Sequence, residues 1–298
     1  MNVETELAPA KLNLFLHVGP VRPDGYHPVA SWMVFADLGD RLTLEPAHTW
    51  SFEVTGEMAP VIGGGENLVA RAARLLFERA GVDSPPIRLT LDKALPVAAG
   101  LGGGSSDAGA ALRLLNARLP RPLSLAQLEA VAAELGADGP ACLHARPALA
   151  TGVGERLAPA PVAPPLPAVL VNPLRPSPTG AVYRAYDAGP TAAADQPELP
   201  RAFDSAAAVA DGLASCRNDL QAPAIALEPA IADVLRTLEE APESLLARMS
   251  GSGATCFALC PEPAAVAGLS ERLARARPDW WVRGCTLSSH ADTRFTNS

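Results

Sequence analysis

From residue 11 to residue 18 the side chains alternate. Leu12, Leu14, Leu16 and Val18 fall on one side, and Lys11, Asn13, Phe15 and His17 on the other. A period of two predicts a strand with one apolar face, and it puts Lys11 and Asn13 together on the opposite face. Leu42 with Leu44, then Phe52 with Val54, predict further short strands. Asn67 predicts the N-cap of a helix running from about Leu68 to Ala80 and closed by Gly81. Ile87, Leu89 and Leu91 alternate again and predict a strand, which leads into a glycine-rich loop over 95–106. Beyond it Ala108, Ala111, Leu112 and Leu115 recur at helical spacing. Ser124 and Gln127 form the sequence of a capping box for a helix that ends near Gly136.

In the second half, the prolines between 159 and 167 follow Gly154 and predict a domain junction, with one domain over 1–155 and another over 156–298. A strand-like AVLVNP comes next, then an alanine-rich stretch over 187–212. Ile231, Val234, Leu235 and Leu238 mark one helix, and Val266, Leu269 and Leu273 a last one. Between them a glycine-rich SGSGA turn precedes the strand-like TCFALC. Strands come in runs and helices follow them without a regular strand–helix–strand beat. That favours an α+β fold over a doubly wound sheet.

Composition narrows the function. The 298 residues suit one large or two modest domains. The net charge of −8 supplies no basic face for nucleic acid, so a nucleic-acid partner is not expected. For the same reason a phosphorylated ligand must be held by local backbone N–H groups and a few cations, not by the overall field. Cys142, Cys216, Cys256, Cys260 and Cys285 are odd in number and contain no C-x-x-C pair, which predicts reduced thiols in a cytoplasmic protein. The residues over 1–14 lack a basic stretch followed by an apolar one, and no apolar run is long enough for a bilayer, so no membrane partner is expected.

The chemistry concentrates in the run PVAAGLGGGSSD over 96–107. It follows a predicted strand and opens a predicted helix. Glycines let backbone N–H groups come close to a ligand, and a helix N-terminus adds unpaired N–H groups and partial positive charge. Ser105 and Ser106 add hydroxyls. Together these make a phosphate cradle. A Walker A loop is excluded because no lysine follows the glycines, and the dinucleotide fingerprint fails at Ser105.

This loop resembles the phosphate-binding motif of the GHMP kinase superfamily. Three further segments narrow the likeness: PAKLNLFL over 9–16 with RPDGYH over 22–27, LGADGP over 135–140, and SGSGAT over 250–255. They resemble the signatures of the diphosphocytidyl-methylerythritol kinase family, in the expected order and over almost the whole chain. The resemblance implies a two-domain α+β GHMP kinase fold with the active site in a cleft between the domains, an ATP-binding first domain, and ATP and Mg²⁺ as co-substrate and metal. It implies transfer of the γ-phosphoryl group to the 2-hydroxyl of a cytidine-diphosphate-linked methylerythritol, acting as a monomer or weak homodimer. Asp138 is then the catalytic acidic residue, accepting or orienting the hydroxyl proton, and Lys11 the cation beside it.

Asn67, Pro96, Gly100, Leu101, Gly102, Gly103, Gly104, Ser105 and Ser106 match the nucleotide side; for Asn67 that role and N-capping are compatible. Asn13, Tyr26, His27, Thr179, Tyr183, Gly251 and Ser252 match the substrate side, with Tyr26, His27 and Tyr183 at the cytosine. The metal ligands stay unassigned. The sequence also departs from the family pattern. Gly139 and Cys142 replace larger apolar residues, which predicts looser packing behind Asp138, and Ala98 with Ala99 replaces a glycine-rich pair. Asp107 is expected to complement the helix dipole. His17, His48, His144 and His290 have no partner spacing and read as structural or solvated.

Overall fold

The computed structural model describes residues 3–59 and 67–288; His290 lies outside them. The chain opens with β1 (Glu4–Val18), β2 (Val29–Pro46) and β3 (Ser51–Thr55), followed by α1 (Leu68–Ala80), β4 (Ile87–Asp92), α2 (Gly103–Asn116), α3 (Leu125–Leu135) and α4 (Gly139–His144). It continues through β5 (Ala148–Thr151), β6 (Arg156–Pro159), β7 (Leu166–Asn172), α5 (Thr179–Asp187), α6 (Ala206–Leu213), α7 (Gln221–Leu227) and α8 (Ala230–Glu239). The last elements are β8 (Leu246–Met249), β9 (Cys256–Leu259), α9 (Pro263–Ala276) and β10 (Trp281–Ser288).

These elements form two compact units. One takes the chain through Lys11, then Leu38–Val97 and Gly102–Ala145; the other takes Leu12–Asp37, Ala98–Leu101 and the chain from Arg146 onward. Neither is a continuous stretch, and a boundary at residue 155 falls inside the second unit. The prolines that suggested it lie instead in β6 and in the approach to β7. Proline marks where a ladder hydrogen bond is missing, not where tertiary contacts stop.

In the first unit β3 runs parallel to β4, with Ser51 opposite Arg88 and Thr55 opposite Asp92. The second half of β2 runs antiparallel to β4, from Arg41 opposite Asp92 to Pro46 opposite Ile87. Leu42, Leu44, Leu89 and Leu91 point into a core shared with α1, α2 and α3. Helix α1 forms where predicted. The Asn67 side chain accepts the Val69 N–H at 2.8 Å, and Gly81 closes the helix with φ +65°. Val69, Ala72, Ala73, Leu76 and Phe77 make its buried stripe. The Ser124–Gln127 capping box starts α3.

In the second unit the ladders among β2, β5, β7, β8, β9 and β10 are antiparallel, while the isolated bridges Leu16–Asn218 and Val162–Ala202 are parallel. The start of β2 pairs with β5 and, through Ala36 and Phe35, with β10; β10 pairs with β7, β7 with β9, and β9 with β8. Helices α8 and α9 cover this sheet over a core of Val169, Val171, Val234, Leu238, Leu269 and Leu273, among others. Mixed helix and sheet with mostly antiparallel pairing is the expected α+β class. The first strand differs from its prediction. β1 is buried on both faces from Ala8 to Val18, so Lys11 and Asn13 lie at 4% and 2% exposure, inside the protein. No helix among the described residues is long and apolar enough to cross a membrane.

Candidate active site

In the first unit Lys11 and Asp138, the two residues expected at the reacting centre, are brought together. Lys11 Nζ lies 3.0 Å from Asp138 Oδ2. Lys11 comes from the buried strand β1, and Asp138 is the residue that opens the short helix α4. The Asp138 side chain keeps 32% exposure, while that of Lys11 keeps 5%. The carboxylate is thus the open member of the pair and the ammonium its fixed support.

Helix α2 begins at the same place. Its N-cap, Gly102, has φ +60° and offers no side-chain cap. A Cβ there would lie 3.0 Å from Lys11 Cε and 3.7 Å from Asp138 Oδ2. Only glycine combines that left-handed backbone with that close approach. The opening N–H groups of α2 therefore begin beside the Lys11–Asp138 pair, and among the described residues no side-chain cap bond is made at this N-cap. Gly104 brings Leu68, the first residue of α1, into the same neighbourhood, at 3.2 Å from a Cβ built on it; Asn67 lies one residue before it. Ser105 is half-buried. Ser106 is fully buried and donates its hydroxyl to the Pro9 carbonyl at 2.6 Å, so it ties the loop to β1 from below. Pro96 is buried as well.

In the second unit Gly100 and Leu101 belong with the SGSGAT turn. Ser250 Oγ donates to the Gly100 carbonyl at 2.9 Å, and Thr255 N–H to the Ala99 carbonyl at 3.1 Å. Asn13 joins them. Its backbone N–H donates to Ser250 Oγ at 3.2 Å, and its side-chain amide to Ser31 Oγ at 2.7 Å. Asn218 holds the turn by donating to the Met249 and Gly251 carbonyls at 2.7 and 2.8 Å. Ser252 Oγ and Thr179 Oγ1 share a hydrogen bond of 2.9 Å. The same unit packs the His27 and Tyr183 rings against each other at a tilt of 38°, with centroids 4.8 Å apart. His27 Nε2 donates to Asp187 Oδ1 at 2.7 Å. Tyr26 stands 59% exposed.

Several of these residues were not singled out from the sequence: Asn218, Asp187, and the Asp40 and Lys93 that form a buried cluster with Asp107. Lys93 Nζ donates to Asp107 Oδ2 at 2.8 Å and to Asp40 Oδ2. Burial lowers the Lys93 pKa, but the two carboxylates outweigh it and the net shift is upward. Asp107 lies a full turn into α2 and is buried in this cluster, so it does not serve as a dipole-facing surface residue. Burial pushes its carboxyl up to about 8, against the pull of Lys93 and with Asp40 adding to the rise. A signal existed. Lys93 continues the inward register of Ile87, Leu89 and Leu91, and Asp40 precedes Leu42 and Leu44 in theirs.

The packing behind Asp138 is tight. A Cβ on Gly139 would collide with the Ala132 carbonyl oxygen, and Cys142 is fully buried, its thiol held protonated by burial. The expected looseness is absent because α3 approaches α4 as close as backbone contact. Ala98 takes φ +50°, a conformation that costs an alanine about 1 kcal/mol. Among the other histidines, His144 pairs with Glu129 at 2.7 Å, His48 is exposed, and His17 is held between backbone groups.

No group of three or more His, Cys, Asp or Glu side chains suited to a metal ion occurs among the described residues. Mg²⁺ bound with a nucleotide needs no such group, because it keeps several waters and is held largely by substrate phosphates.

Comparison with known proteins matches residues 67–146 to the GHMP kinases N terminal domain and residues 201–279 to the GHMP kinases C terminal domain. The 4-diphosphocytidyl-2-C-methyl-D-erythritol kinase of Caulobacter vibrioides is 60% identical over 94% of this chain and 98% of its own length. The enzyme of the same name from Paramagnetospirillum magneticum is 48% identical over 95% and 98%. A crystal structure of 4-(cytidine 5'-diphospho)-2C-methyl-D-erythritol kinase superposes with a TM-score of 0.74 at 36% identity, covering 96% of this chain and 99% of that one. A homoserine kinase from Cytophaga hutchinsonii shares the fold at 19% identity and a TM-score of 0.68. A small-molecule kinase fold, a lysine–aspartate pair at a glycine-lined helix start and near full-length identity agree: the chain belongs to the 4-diphosphocytidyl-2-C-methyl-D-erythritol kinase family of GHMP kinases.

Proposed function

We propose that this chain transfers the γ-phosphoryl group of ATP to the 2-hydroxyl of 4-diphosphocytidyl-2-C-methyl-D-erythritol, a step of the non-mevalonate route to isoprenoid precursors. The observation that carries the chemistry is the 3.0 Å Lys11–Asp138 pair beside the uncapped start of α2. The substrate follows from the names of relatives at 48–60% identity. The exposed Tyr26 and the packed His27–Tyr183 pair support it, offering aromatic surface and an imidazole to a pyrimidine.

Phosphoryl transfer depends mainly on positioning and charge. In this reading the α2 N-terminus, with Gly102, Gly103, Gly104 and Ser105, receives the ATP phosphates. Pro96, Gly100, Leu101 and Ser106 shape the loop, and Asn67 lies on the nucleotide side. Asn13, Thr179, Gly251 and Ser252 hold the acceptor. Asp138 accepts a hydrogen bond from the 2-hydroxyl and orients its oxygen toward the γ-phosphorus. As the new P–O bond forms and the bond to ADP breaks, the hydroxyl proton passes to the carboxylate and then to solvent. Lys11 offsets the negative charge that gathers on the acceptor oxygen and the transferring group. Mg²⁺, when bound with ATP, neutralises phosphate charge. We place the enzyme in the cytoplasm, where its five buried cysteines remain thiols.

The test is ADP release in a coupled assay with MgATP, offering the cytidyl substrate beside homoserine and mevalonate. Turnover is expected with the cytidyl compound alone. Asp138→Asn should lower kcat by about 10²-fold or more while leaving the Kd for ATP within about threefold. Turnover with another alcohol would overturn the substrate, and an unaltered kcat in the variant would remove Asp138 from the chemistry.

A further inference from the structure

The Asp40–Lys93–Asp107 cluster lies directly beneath the start of α2. A Cβ on Gly103 would sit 3.4 Å from Lys93 Nζ and 3.7 Å from Asp40 Oδ2. Asp40 also accepts the Ala94 and Leu95 N–H groups through Oδ1, at 2.7 and 2.8 Å. One residue group therefore fixes β2, the segment entering the glycine-rich loop, and α2. All three side chains are buried, and among the described residues no hydrogen-bond partner is found for Asp107 Oδ1.

The charges do not balance. One ammonium faces two carboxylates, so with both ionised a net negative charge would lie under the helix start that receives phosphate in the reading above. Asp40 takes two backbone N–H bonds besides Lys93, which favours its ionised form. Asp107 meets Lys93 and the Asp40 carboxyl, whose charge and hydrogen bond both favour its protonated form, and among the described residues it takes no backbone N–H, so it is the natural carrier of a proton. Among the described residues, the charged groups on the other elements around α2 are engaged away from the cluster, and Arg71 of α1 donates to the Glu134 carbonyl at 3.1 Å. The Cys142 thiol of α4 is protonated, and Lys11 is paired with Asp138. On α1 and α3, Arg74 pairs with Glu78, Arg79 with Glu134, and Glu129 with His144. On β1, Glu4 pairs with Arg118 and Glu6 with Arg113.

We propose that Asp40, Lys93 and Asp107 are positioning residues for the phosphate-binding start of α2, and that a proton held by Asp107 keeps the ground beneath the ATP phosphates electrically neutral. The inference rests on the α2 N-terminus being the phosphate site. Losing the proton leaves the cluster under the helix start with a net negative charge, so ATP binding weakens as pH rises through the Asp107 titration near pH 8. The phosphate groups themselves have finished titrating by then, since their second pKa is about 6.

The experiment is calorimetric titration of the full chain with MgATP, and separately with adenosine, from pH 7 to 9.5, in wild type and Asp107→Asn. The Kd for MgATP is expected to rise about tenfold in wild type. It should stay flat for adenosine, and flat for MgATP in the variant. A flat wild-type profile for MgATP, an equal rise with adenosine, or an equal rise in the variant would each overturn the inference while leaving the phosphate site standing. If the variant does not fold, the wild-type contrast between MgATP and adenosine decides. Absence of MgATP binding at every pH would remove the phosphate site and this inference with it.

Discussion

His17 is held at both ring nitrogens by backbone. Nδ1 donates to the Asp195 carbonyl at 2.6 Å, and Nε2 accepts the Arg217 N–H at 3.2 Å. That arrangement requires the neutral ring. Burial, with Arg217 and Arg248 nearby, lowers its pKa below the usual histidine value. Between the folded-state pKa and 6.5 the unfolded chain therefore binds a proton that the native state refuses, and stability falls as pH drops through that window. Thermal unfolding from pH 7 to pH 5 should show this loss, and His17→Gln should show a shallower one; identical slopes would clear His17 of it. The residue-scale features that sequence reading identified were those whose chemistry is displayed by a motif, such as Lys11, Asp138 and the glycine run. Asp187, Asn218 and Asp107 escaped because their roles come from partners 14 to 160 residues away. Lys93 and Asp40 were visible in principle, as charges standing at inward positions of alternating strands.

At the scale of elements, α4 is a six-residue helix whose position sets where Asp138 stands. It is wedged between neighbours. Gly139 touches the Ala132 backbone of α3, and a Cβ on Gly109 of α2 would lie 2.6 Å from the Cys142 carbonyl. Arg113 of α2 donates to the Cys142 and Leu143 carbonyls at 2.9 and 2.8 Å. Gly139→Ala must push α3 and α4 apart, and overpacking of this kind costs about 1–3 kcal/mol. The expected outcome is a lower Tm together with a lower kcat, since the displacement carries Asp138 away from Lys11. A variant matching wild type in both would mean that α4 relaxes without moving its first residue. Caps made the helix limits legible: Asn67, Gly81 and the Ser124–Gln127 box place α1 and α3 as expected. Helix α7 was not foreseen, because its seven residues bury only Ala224 and leave no apolar stripe to read.

At the scale of the whole molecule, the net charge of −8 opposes an anionic ligand, while the local cation and backbone dipoles attract it. Long-range repulsion is screened by salt and the short-range contacts much less so. The association rate for MgATP should therefore rise between 20 and 200 mM salt, measured by stopped-flow; a falling rate would mean that a local positive field governs the encounter. The α+β class was readable from the beat of strands and helices. The division into units was not, because β1 and β2 each lend one part to either unit, and no composition change marks a strand that is shared.

That sharing has a consequence for synthesis on the ribosome. Every residue of the first unit has been made once Ala145 is added, so this unit can complete while the rest of the chain is still being translated. The strand segment around Phe35 must instead wait for Ser288, its pairing partner in β10, more than two hundred residues later. During that interval the edge of an apolar strand lacks its partner in the nascent chain. The period in which this protein most needs shielding from its neighbours falls before its last strand emerges.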